Sequence, residues 1–260
     1  MIGIASPVFC FSPFEDALDE ISEHFGLWEV LLEGEHRLEI VQKKMLDAMG
    51  SYDVRFQIHA PMSDVNIGSV YEPMRRFAVR EIEAAIRACN EMEIDLITIH
   101  PGFIGGIAFI DKSIVIKQTK RSLVHLSHVA IENSVELAIE NMPRGINATC
   151  TTAEELMSVA GEANLGICFD MGHANTSGQV ESLLRHSASF RNVHLHNNDG
   201  SWDQHNPIEE GTADVRAIVS TIRESGYRGN YIIESTDLVG GIASRKLLDS
   251  LLEQPTTPKT

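Results

Sequence analysis

The most regular feature of the chain is an alternation of short apolar runs with longer amphipathic stretches. The apolar runs are rich in β-branched residues, as buried parallel strands are, and each amphipathic stretch has the length of a helix. Eight such pairs follow one another, which predicts an α/β protein built as a single (β/α)8 TIM barrel. The predicted strands span residues 2–5, 28–32, 54–59, 96–100, 136–140, 166–170, 192–196 and 231–234.

Capping signals support several of the predicted helices. The helices should begin near Pro13, His36, Pro73, Ser113, Ala153, Gln179, Asp214 and Gly241. Ser12 suits an N-cap because a proline follows it at the first helical position. Thr152 with Glu155 three residues later predicts a capping box. The apolar spacing in the third helix, which includes Phe77 and Ile82, predicts a face that packs on the sheet.

Length and composition indicate one globular domain. A chain of 260 residues matches one closed α/β barrel, so we expect this domain over 1–253 and a disordered tail over 254–260. Hydrophobic residues make up 43% of the chain, and no apolar run reaches the roughly 18 residues of a membrane span. The segment MIGIASPVF lacks the basic region of a signal peptide and predicts a strand, so we expect a cytoplasmic protein. No feature of the sequence indicates an oligomeric state.

Cysteine spacing and charge narrow the possible partners. Cys10, Cys89, Cys150 and Cys168 show no CxxC pairing, so we expect buried, reduced thiols rather than disulfides or a thiolate zinc site. The formal net charge of −16 should repel DNA at long range, because DNA binding normally relies on Lys and Arg. Bound metal ions would add local positive charge, so a nucleic-acid partner is disfavoured without being excluded.

Residues able to bind a metal ion end six successive predicted strands. They are His59, His100, Glu140, Asp170, His196 and Glu234. Because the strands of a parallel barrel run in one direction, all six should lie at the mouth where the active sites of this fold occur. One His or Glu at a strand end is more often hydrogen-bonded or solvated than a ligand. Burying charged side chains at the ends of apolar runs costs several kcal/mol unless they are paired or coordinated. Six such residues in register therefore predict a metal centre.

Further candidates lie close to these strand ends. His173 follows the sixth strand, and Asp203 and His205 follow the seventh, so that the set mixes nitrogen and oxygen ligands suited to zinc or manganese. His194 faces the same side as His196, because side chains alternate along a strand. We expect His194 to lie one layer below the site, where it would support the ligands. The histidines expected on helix surfaces are His24, His36, His125, His128 and His186.

In these segments the chain resembles the xylose isomerase-like barrel superfamily, which contains sugar isomerases and epimerases and the endonuclease IV family. The resemblance spans nearly the whole chain, and its motifs are specific only when taken together. They are IHAP around His59, IHPG around His100, AIENMP around Glu140, CFDMGHAN around Asp170 and His173, HLHNNDGSWDQHNPIEEG over 194–211, and YIIES around Glu234.

The resemblance implies between one and three divalent ions, zinc or manganese. The endonuclease IV pattern implies three zinc ions, the first held by His59, His100 and Glu140, the second by Glu140, Asp170, His196 and Glu234, and the third by His173, Asp203 and His205. The isomerase and epimerase pattern implies a single ion, often manganese, held by Glu140, Asp170, His196 and Glu234. The second set of four serves both patterns.

Two enzymatic functions follow from the resemblance. In a sugar isomerase or epimerase, Glu140 and Glu234 would move protons on two sides of a carbon next to a metal-polarised carbonyl. His173 would then orient a hydroxyl of the small, sugar-like substrate. Glu33, at the end of the second strand, would bind another hydroxyl. We favour this function, with a sugar, sugar phosphate or related polyol as the substrate.

The alternative is an endonuclease IV-like trinuclear zinc phosphodiesterase acting on abasic DNA. The complete set of nine ligand counterparts supports it, since clustered ions can generate hydroxide and neutralise phosphate charge. The loop at 60–64 has no aromatic wedge and no arginine, and Gly34 and Glu35 stand where a phosphate contact would need a cation. A non-enzymatic, metal-stabilised scaffold is disfavoured, because a structural site closes around its ion whereas these ligands line an open mouth.

Overall fold

Eight parallel strands close into a barrel in which each strand pairs with its neighbours in chain order. This computed structural model describes residues 1–254. The strands are β1 Ile2–Ala5, β2 Leu27–Leu31, β3 Arg55–His59, β4 Leu96–Ile99, β5 Glu136–Glu140, β6 Gly166–Asp170, β7 Phe190–Leu195 and β8 Asn230–Glu234. Pairing of Ile2 with Tyr231 and of Ala5 with Glu234 closes the sheet between β1 and β8. The predicted (β/α)8 fold is confirmed.

Helices cover the outside of the barrel. The α-helices are α1 Phe14–Ser22, α2 Leu38–Ala48, α3 Glu72–Glu91, α4 Ser113–Glu132, α5 Ala153–Ala163, α6 Met171–Ser177, α7 Val180–Leu184, α8 Val215–Glu224 and α9 Leu238–Glu253. Short 3-10 helices occupy Pro7–Phe11, Gly34–His36, Gly106–Phe109 and Ser187–Ser189. The helix α6 was not predicted as a separate element; it starts directly at the end of β6 and brings its first turn to the barrel mouth.

The predicted helix starts are correct to within a few residues, but one cap differs. Pro13, rather than Ser12, is the N-cap of α1, and its backbone lies outside the helical region. Ser12 instead ends the preceding 3-10 helix through its backbone N–H, which donates to the Phe9 carbonyl. At α5 the hydroxyl of Thr152 accepts from the Glu155 N–H at 3.2 Å, as predicted. The Glu155 carboxylate accepts from the Cys150 N–H, so the reciprocal half of the capping box is replaced.

The core lies between the barrel and its helices. Trp28 of β2 stacks on Phe14 of α1 with ring centroids 5.0 Å apart. His36, which we expected at the surface, is fully buried with its ring 5.4 Å from that of Trp28, and its Nε2 lies 3.1 Å from the Ser12 carbonyl. Ile82 is buried as predicted, whereas Phe77 is 41% exposed because Ala78 takes the inward position of that turn.

The cysteines and the apolar character of the helices can be compared with the sequence within residues 1–254. All four cysteine side chains are buried, and no disulfide joins them in this part of the chain. None of the described helices has both the length and the apolar character needed to cross a membrane. The disordered tail expected at 254–260 lies outside the described residues, apart from Gln254.

Candidate metal centre

The barrel brings the predicted strand-end residues together at one mouth. His59, Glu140, Asp170 and Glu234 are the last residues of their strands, and His100 and His196 directly follow theirs. The four strand-end side chains and His196 are each at most 9% exposed. Their ligand atoms, with those of a few neighbours, form compact groups that we call the first, second and third groups.

The first group consists of His59, His100 and Glu140, whose ligand atoms all lie within 4.8 Å of one another. Nε2 of His59 is 3.3 Å from Glu140 Oε2, and Nε2 of His100 is 3.2 Å from the same oxygen. The Nδ1 atom of His59 lies 2.9 Å from the Ala60 carbonyl oxygen, which suits a ring that donates from Nδ1 and presents Nε2 to the group.

The second group consists of Glu140, Asp170, His194 and Glu234. Nδ1 of His194 lies 3.0 Å from Glu234 Oε1, 3.4 Å from Glu140 Oε1 and 3.9 Å from Asp170 Oδ2. Glu140 therefore joins the first two groups, one oxygen facing each. Cys168 also lies near Glu140 and His194, but burial raises its pKa well above the usual value, so the thiol stays protonated and is a poor ligand.

His194, rather than His196, falls within the second group in this structure. In the ladder between β6 and β7, Asp170 lies opposite His194, and a register shift occurs between Ile167 and Cys168. His196 lies two residues further along the chain and therefore sits above the level of the second group. Nδ1 of His194 faces three carboxylates, and the expected roles of His194 as a supporting residue and of His196 as a ligand both stay predictions.

The third group consists of His173, His196, Asp203 and His205. Asp203 Oδ2 is 3.1 Å from His173 Nε2 and 3.0 Å from His205 Nε2, and Asp203 Oδ1 is 3.6 Å from His196 Nε2. The rings of His196 and His205 stack with centroids 3.9 Å apart. Asp170 Oδ1 lies 3.1 Å from His196 Nε2, which connects the third group to the second.

Local backbone contacts hold the third group in place. Asp170 caps α6, since its Oδ1 accepts from the His173 N–H at 2.6 Å. This N-cap hydrogen bond explains why the histidine follows the aspartate by three residues in the D-x-x-H motif. The loop that carries Asp203 and His205 is closed by an antiparallel bridge between Asn197 and Asn206, with N–O distances of 3.0 and 2.9 Å.

Charge pairing within the groups sets the protonation states. Burial favours neutral forms, but three histidines around Glu140 hold the pKa of its carboxyl well below the usual value. Burial also opposes protonation of His173, yet Asp170, Asp203 and Glu140 raise its pKa well above normal. The same competition raises the pKa of His205 to about 9, with Asp203 and Glu234 as the partners. The carboxylates of Glu140, Asp203 and Glu234 are therefore ionised, and protons on His173 and His205 balance part of their charge.

Several buried ligand atoms have no hydrogen-bond partner among the described residues, which tests whether a metal ion fits. They are Asp170 Oδ2, His194 Nδ1, His196 Nδ1 and Nε2, Asp203 Oδ1 and His205 Nδ1. Buried polar atoms are normally hydrogen-bonded, so such a concentration calls for an explanation. Most of these atoms point at other ligand atoms of the second and third groups, and their mixed nitrogen and oxygen character suits zinc, manganese or a similar divalent cation.

Glu33 belongs to none of these three groups. Its Oε1 accepts from the backbone N–H groups of Met62 and Ser63 at 2.6 and 2.7 Å, and so holds the loop after β3. Its expected role in binding a substrate hydroxyl stays a prediction. Two contributing residues were not predicted: Asn141, whose amide exchanges hydrogen bonds with the Asp170 backbone, and Glu29, buried inside β2. The sequence did contain a signal for Glu29, because a charged residue interrupts the otherwise apolar run LWEVL.

Comparison with known proteins defines the family. Residues 24–251 match the family model described as the xylose isomerase-like TIM barrel. This match covers most of the chain, and it spans both the strands and the loops that supply the three groups. The protein therefore belongs to the xylose isomerase-like TIM barrel family, as the sequence motifs indicated.

Individual relatives share the full length of the barrel. The uncharacterized protein MJ1311 of Methanocaldococcus jannaschii is 31% identical over 260 residues, covering 96% of this chain and 89% of that protein. A D-tagatose 3-epimerase-like protein of known structure superposes with a TM-score of 0.88 and 29% identity, covering 97% of each chain. IolI, crystallised with a zinc atom, superposes with a TM-score of 0.79 and 15% identity over 98% of this chain and 99% of its own, a likeness of fold alone.

Gly172 provides a steric test of the third group. A Cβ built at this position would lie 2.0 Å from Cε1 of His196, so Gly172→Ala must displace that ring. We expect the variant to bind zinc or manganese at least about 10-fold more weakly, as losses of ligand support commonly do. Competition with a chromophoric chelator measures this affinity.

The matched control for Gly172→Ala is Gly161→Ala. Gly161 lies on α5, and an added Cβ would meet nothing within 4 Å. Alanine is favoured over glycine in a helix by about 0.5–1 kcal/mol, so we expect unchanged metal affinity and equal or higher stability. Wild-type metal affinity in Gly172→Ala would show that the position of His196 is unimportant.

Protein freed of metal by a chelator should show a pH-dependent contribution from His205. Its pKa of about 9 in the folded state exceeds the unfolded value of about 6.5, so the stabilisation is complete below pH 6.5 and is lost as pH rises through 9. We expect His205→Gln to cost about 3 kcal/mol of unfolding free energy at pH 6 and much less at pH 9.5. Urea unfolding at both pH values measures this, with the exposed His128→Gln as the control. A pH-independent cost would contradict the assignment.

Proposed function

We propose that this protein is a divalent-metal-dependent isomerase or epimerase that acts on a sugar, a sugar phosphate or a related polyol. One observation carries the proposal. Glu140 and Glu234 approach the same His194 nitrogen from separate strands, at the buried base of the barrel mouth. The D-tagatose 3-epimerase-like neighbour, at 29% identity over 97% of both chains, supports a sugar as the substrate class.

The second group would hold the ion that this chemistry requires. Its three carboxylates and one imidazole, from Glu140, Asp170, Glu234 and His194, form a set suited to manganese or zinc. A divalent ion bound there supplies Lewis-acid polarisation of a carbonyl and an adjacent hydroxyl oxygen. The zinc in the IolI structure supports a metal in this barrel type.

The acid–base roles fall to Glu140 and Glu234. β5 and β8 are three positions apart in a ring of eight strands, so the two carboxylates reach the centre from different sides. Each is ionised, because neighbouring histidines lower its pKa against the effect of burial, and an ionised carboxylate can accept a proton. One of them would take the proton from the carbon next to the carbonyl. In an epimerisation the other would first have to take up a proton from solvent, which it would then give to the opposite face of that carbon. In an isomerisation the first carboxylate would return its proton to the adjacent carbon.

Glu33 and His173 would position the substrate. Glu33 keeps one carboxylate oxygen available beside the loop that it anchors. Nδ1 of His173 lies 2.8 Å from the Asn141 carbonyl and Nε2 lies 3.1 Å from Asp203. For His173 to bind a substrate hydroxyl, its Nε2 would therefore have to release Asp203. We accordingly assign His173 to the third group before any role in substrate binding.

Replacing either proposed acid–base residue should abolish turnover while leaving the barrel folded. With protein loaded with manganese or zinc and a panel of ketoses in D2O, we expect deuterium to enter the carbon next to the carbonyl. Glu140→Gln and Glu234→Gln should each lower kcat by about 100-fold or more, the usual contribution of general acid–base catalysis. Mass spectrometry of the recovered sugar measures the exchange.

Glu136→Gln is the control for these variants. Glu136 lies on the same strand as Glu140 but at its exposed start, where it pairs with Arg191 at 2.6 Å. We expect wild-type turnover from this variant. Full activity in both Glu140→Gln and Glu234→Gln would refute the proposed roles, whatever the substrate.

A metal-dependent phosphodiesterase is the second candidate, and the first and third groups favour it. They flank the second group, and the three groups together contain all nine ligand counterparts of the endonuclease IV pattern, with His194 as an additional member. The loops offer exposed aromatic side chains after all, at Phe11 and Trp202, which are 84% and 63% exposed. Neither lies in the 60–64 loop where the sequence suggested looking. The net charge of −16 still opposes a DNA substrate.

Metal content and incision assays separate the two candidates. The proposed function predicts that one exchangeable ion per chain suffices for ketose turnover. Elemental analysis after loading gives the ion count, and an oligonucleotide with a single abasic site gives the incision activity. About three tightly held zinc ions per chain, with incision and without ketose exchange, would replace the proposed function by the second candidate.

A further inference from the structure

A groove lined mainly by basic side chains runs between α3 and α4 on the outside of the barrel. Its volume of about 480 Å³ lies within the usual range of small-molecule sites. The acid–base chemistry proposed above makes no use of it. We call it the arginine groove, and its basic lining residues are Arg75, Arg76, Arg80, Arg121, His125 and His128.

The basic side chains come from one face of each helix. On α3, Arg76 and Arg80 are four residues apart, a spacing that places them on the same face. On α4, Arg121, His125 and His128 follow one another at intervals of four and three residues. Because both sets line the same groove, a ligand between the helices would be held from two sides.

A buried arginine fixes the two helices at this groove. Arg75 is 7% exposed, and its Nη1 donates to Ser122 Oγ of α4 at 2.9 Å. Its Nε and Nη2 donate to the Glu72 carboxylate at 2.9 and 2.8 Å. The Ser122 hydroxyl in turn donates to the Ile67 carbonyl at 2.7 Å. The groove is therefore preorganised, which lowers the entropy cost of binding a ligand.

The guanidinium groups outnumber the carboxylates that could neutralise them. Glu72 is shared by three arginines, Arg75, Arg76 and Arg121, at 2.8, 2.9 and 3.7 Å. Arg80 forms no ion pair with any carboxylate in the described part of the chain, although its neighbours on α3 do. Arg80 therefore keeps its charge and its donors available.

Glu83 also lines the groove but does not cancel this excess. Its Oε1 lies 2.6 Å from His125 Nε2, and its Oε2 lies 2.9 Å from Arg87 Nη2. Four guanidinium groups of the groove thus face two carboxylates, and one of these is shared with a further arginine. In a chain with a net charge of −16, this local positive charge marks a place that attracts anions.

The kind of cation favours phosphate as the anion. The permanently charged side chains of the lining are all arginines, whose planar fork matches the oxygens of a phosphate group. A phosphate group carries up to two charges and three acceptor oxygens, so one group can satisfy several guanidinium groups. Val79 and Val124, which also line the groove, offer apolar contact to the rest of a ligand.

We propose that the arginine groove binds a phosphate-bearing small molecule with at least two negative charges. Arg80 would bind the phosphate from α3, since no carboxylate occupies it. Arg121 would bind it from α4, since its contact with Glu72 is long at 3.7 Å. This is a second site, and the proposal stands whether or not the barrel mouth catalyses a sugar reaction.

Titration with inorganic phosphate and with AMP tests the proposal, followed by ¹⁵N NMR of the arginine Nε–H groups and of the α3 and α4 backbone. We expect saturable shifts at Arg80 and Arg121 and an affinity that falls as ionic strength rises. Arg80→Gln and Arg121→Gln should each weaken AMP binding about 10-fold, because each removes hydrogen bonds to a charged group. Arg80→Lys keeps the charge without the fork and should give a smaller loss.

Arg216→Gln is the matched control. Arg216 is an exposed arginine of α8, outside the groove, so its replacement removes the same charge from the molecule. We expect AMP affinity within about twofold of wild type, because distant surface charges are screened by salt. Circular dichroism checks that each variant is folded, as we expect for substitutions of exposed side chains.

Three results would overturn the proposal. The first is the absence of saturable shifts in α3 and α4 with either probe. The second is equal AMP affinity in wild type, Arg80→Gln and Arg121→Gln, which would place phosphate binding elsewhere, including at a metal ion in the barrel mouth. The third is binding of a poly-glutamate peptide without binding of phosphate or AMP, which would assign the groove to an acidic protein partner.

Discussion

The carboxylate of Glu140 is the contact on which the rest of the barrel mouth depends. One oxygen faces His59 and His100, and the other faces His173 and His194. A carboxylate that is 1% exposed is tolerated only if its charge is balanced. Four imidazole rings provide that balance, and each comes from a different segment of the chain. The strands must therefore close in one register for the charge to be stable at all.

Parallel closure explains why the sequence predicted so much of this centre. In a barrel, the carboxyl end of every strand reaches the same face. Residues that end successive apolar runs can therefore be predicted to lie together even when their contacts are unknown. Glu140, Asp170 and Glu234 were located in this way, and the structure places them together. The whole fold followed from the same periodicity, because buried strands and amphipathic helices have distinct patterns.

The level at which each side chain meets its neighbours could not be predicted. His194 and His196 have the same orientation on β7, and only the stagger against β6 decides which of them lies level with Asp170. A register shift between adjacent strands leaves no mark in an apolar run. The buried partner of His194, Glu29, was overlooked because a carboxylate within a strand has meaning only once the strands across the barrel are known. Loop geometry was also beyond prediction, since Asp203 and His205 reach the centre through a bridge that depends on Asn197 and Asn206.

That bridge has a consequence for how such barrels diversify. The segment from Asn197 to Asn206 leaves the barrel and returns to it through two backbone hydrogen bonds, carrying Asp203 and His205 between them. Residues between Asn197 and Asn206 can therefore be substituted without altering any strand pairing of the barrel. The number of cations that the mouth would hold is thereby separable from the pairing of the strands. Substitutions within these ten residues of one loop would then change how many ions the mouth can bind, while the strands and helices stay the same.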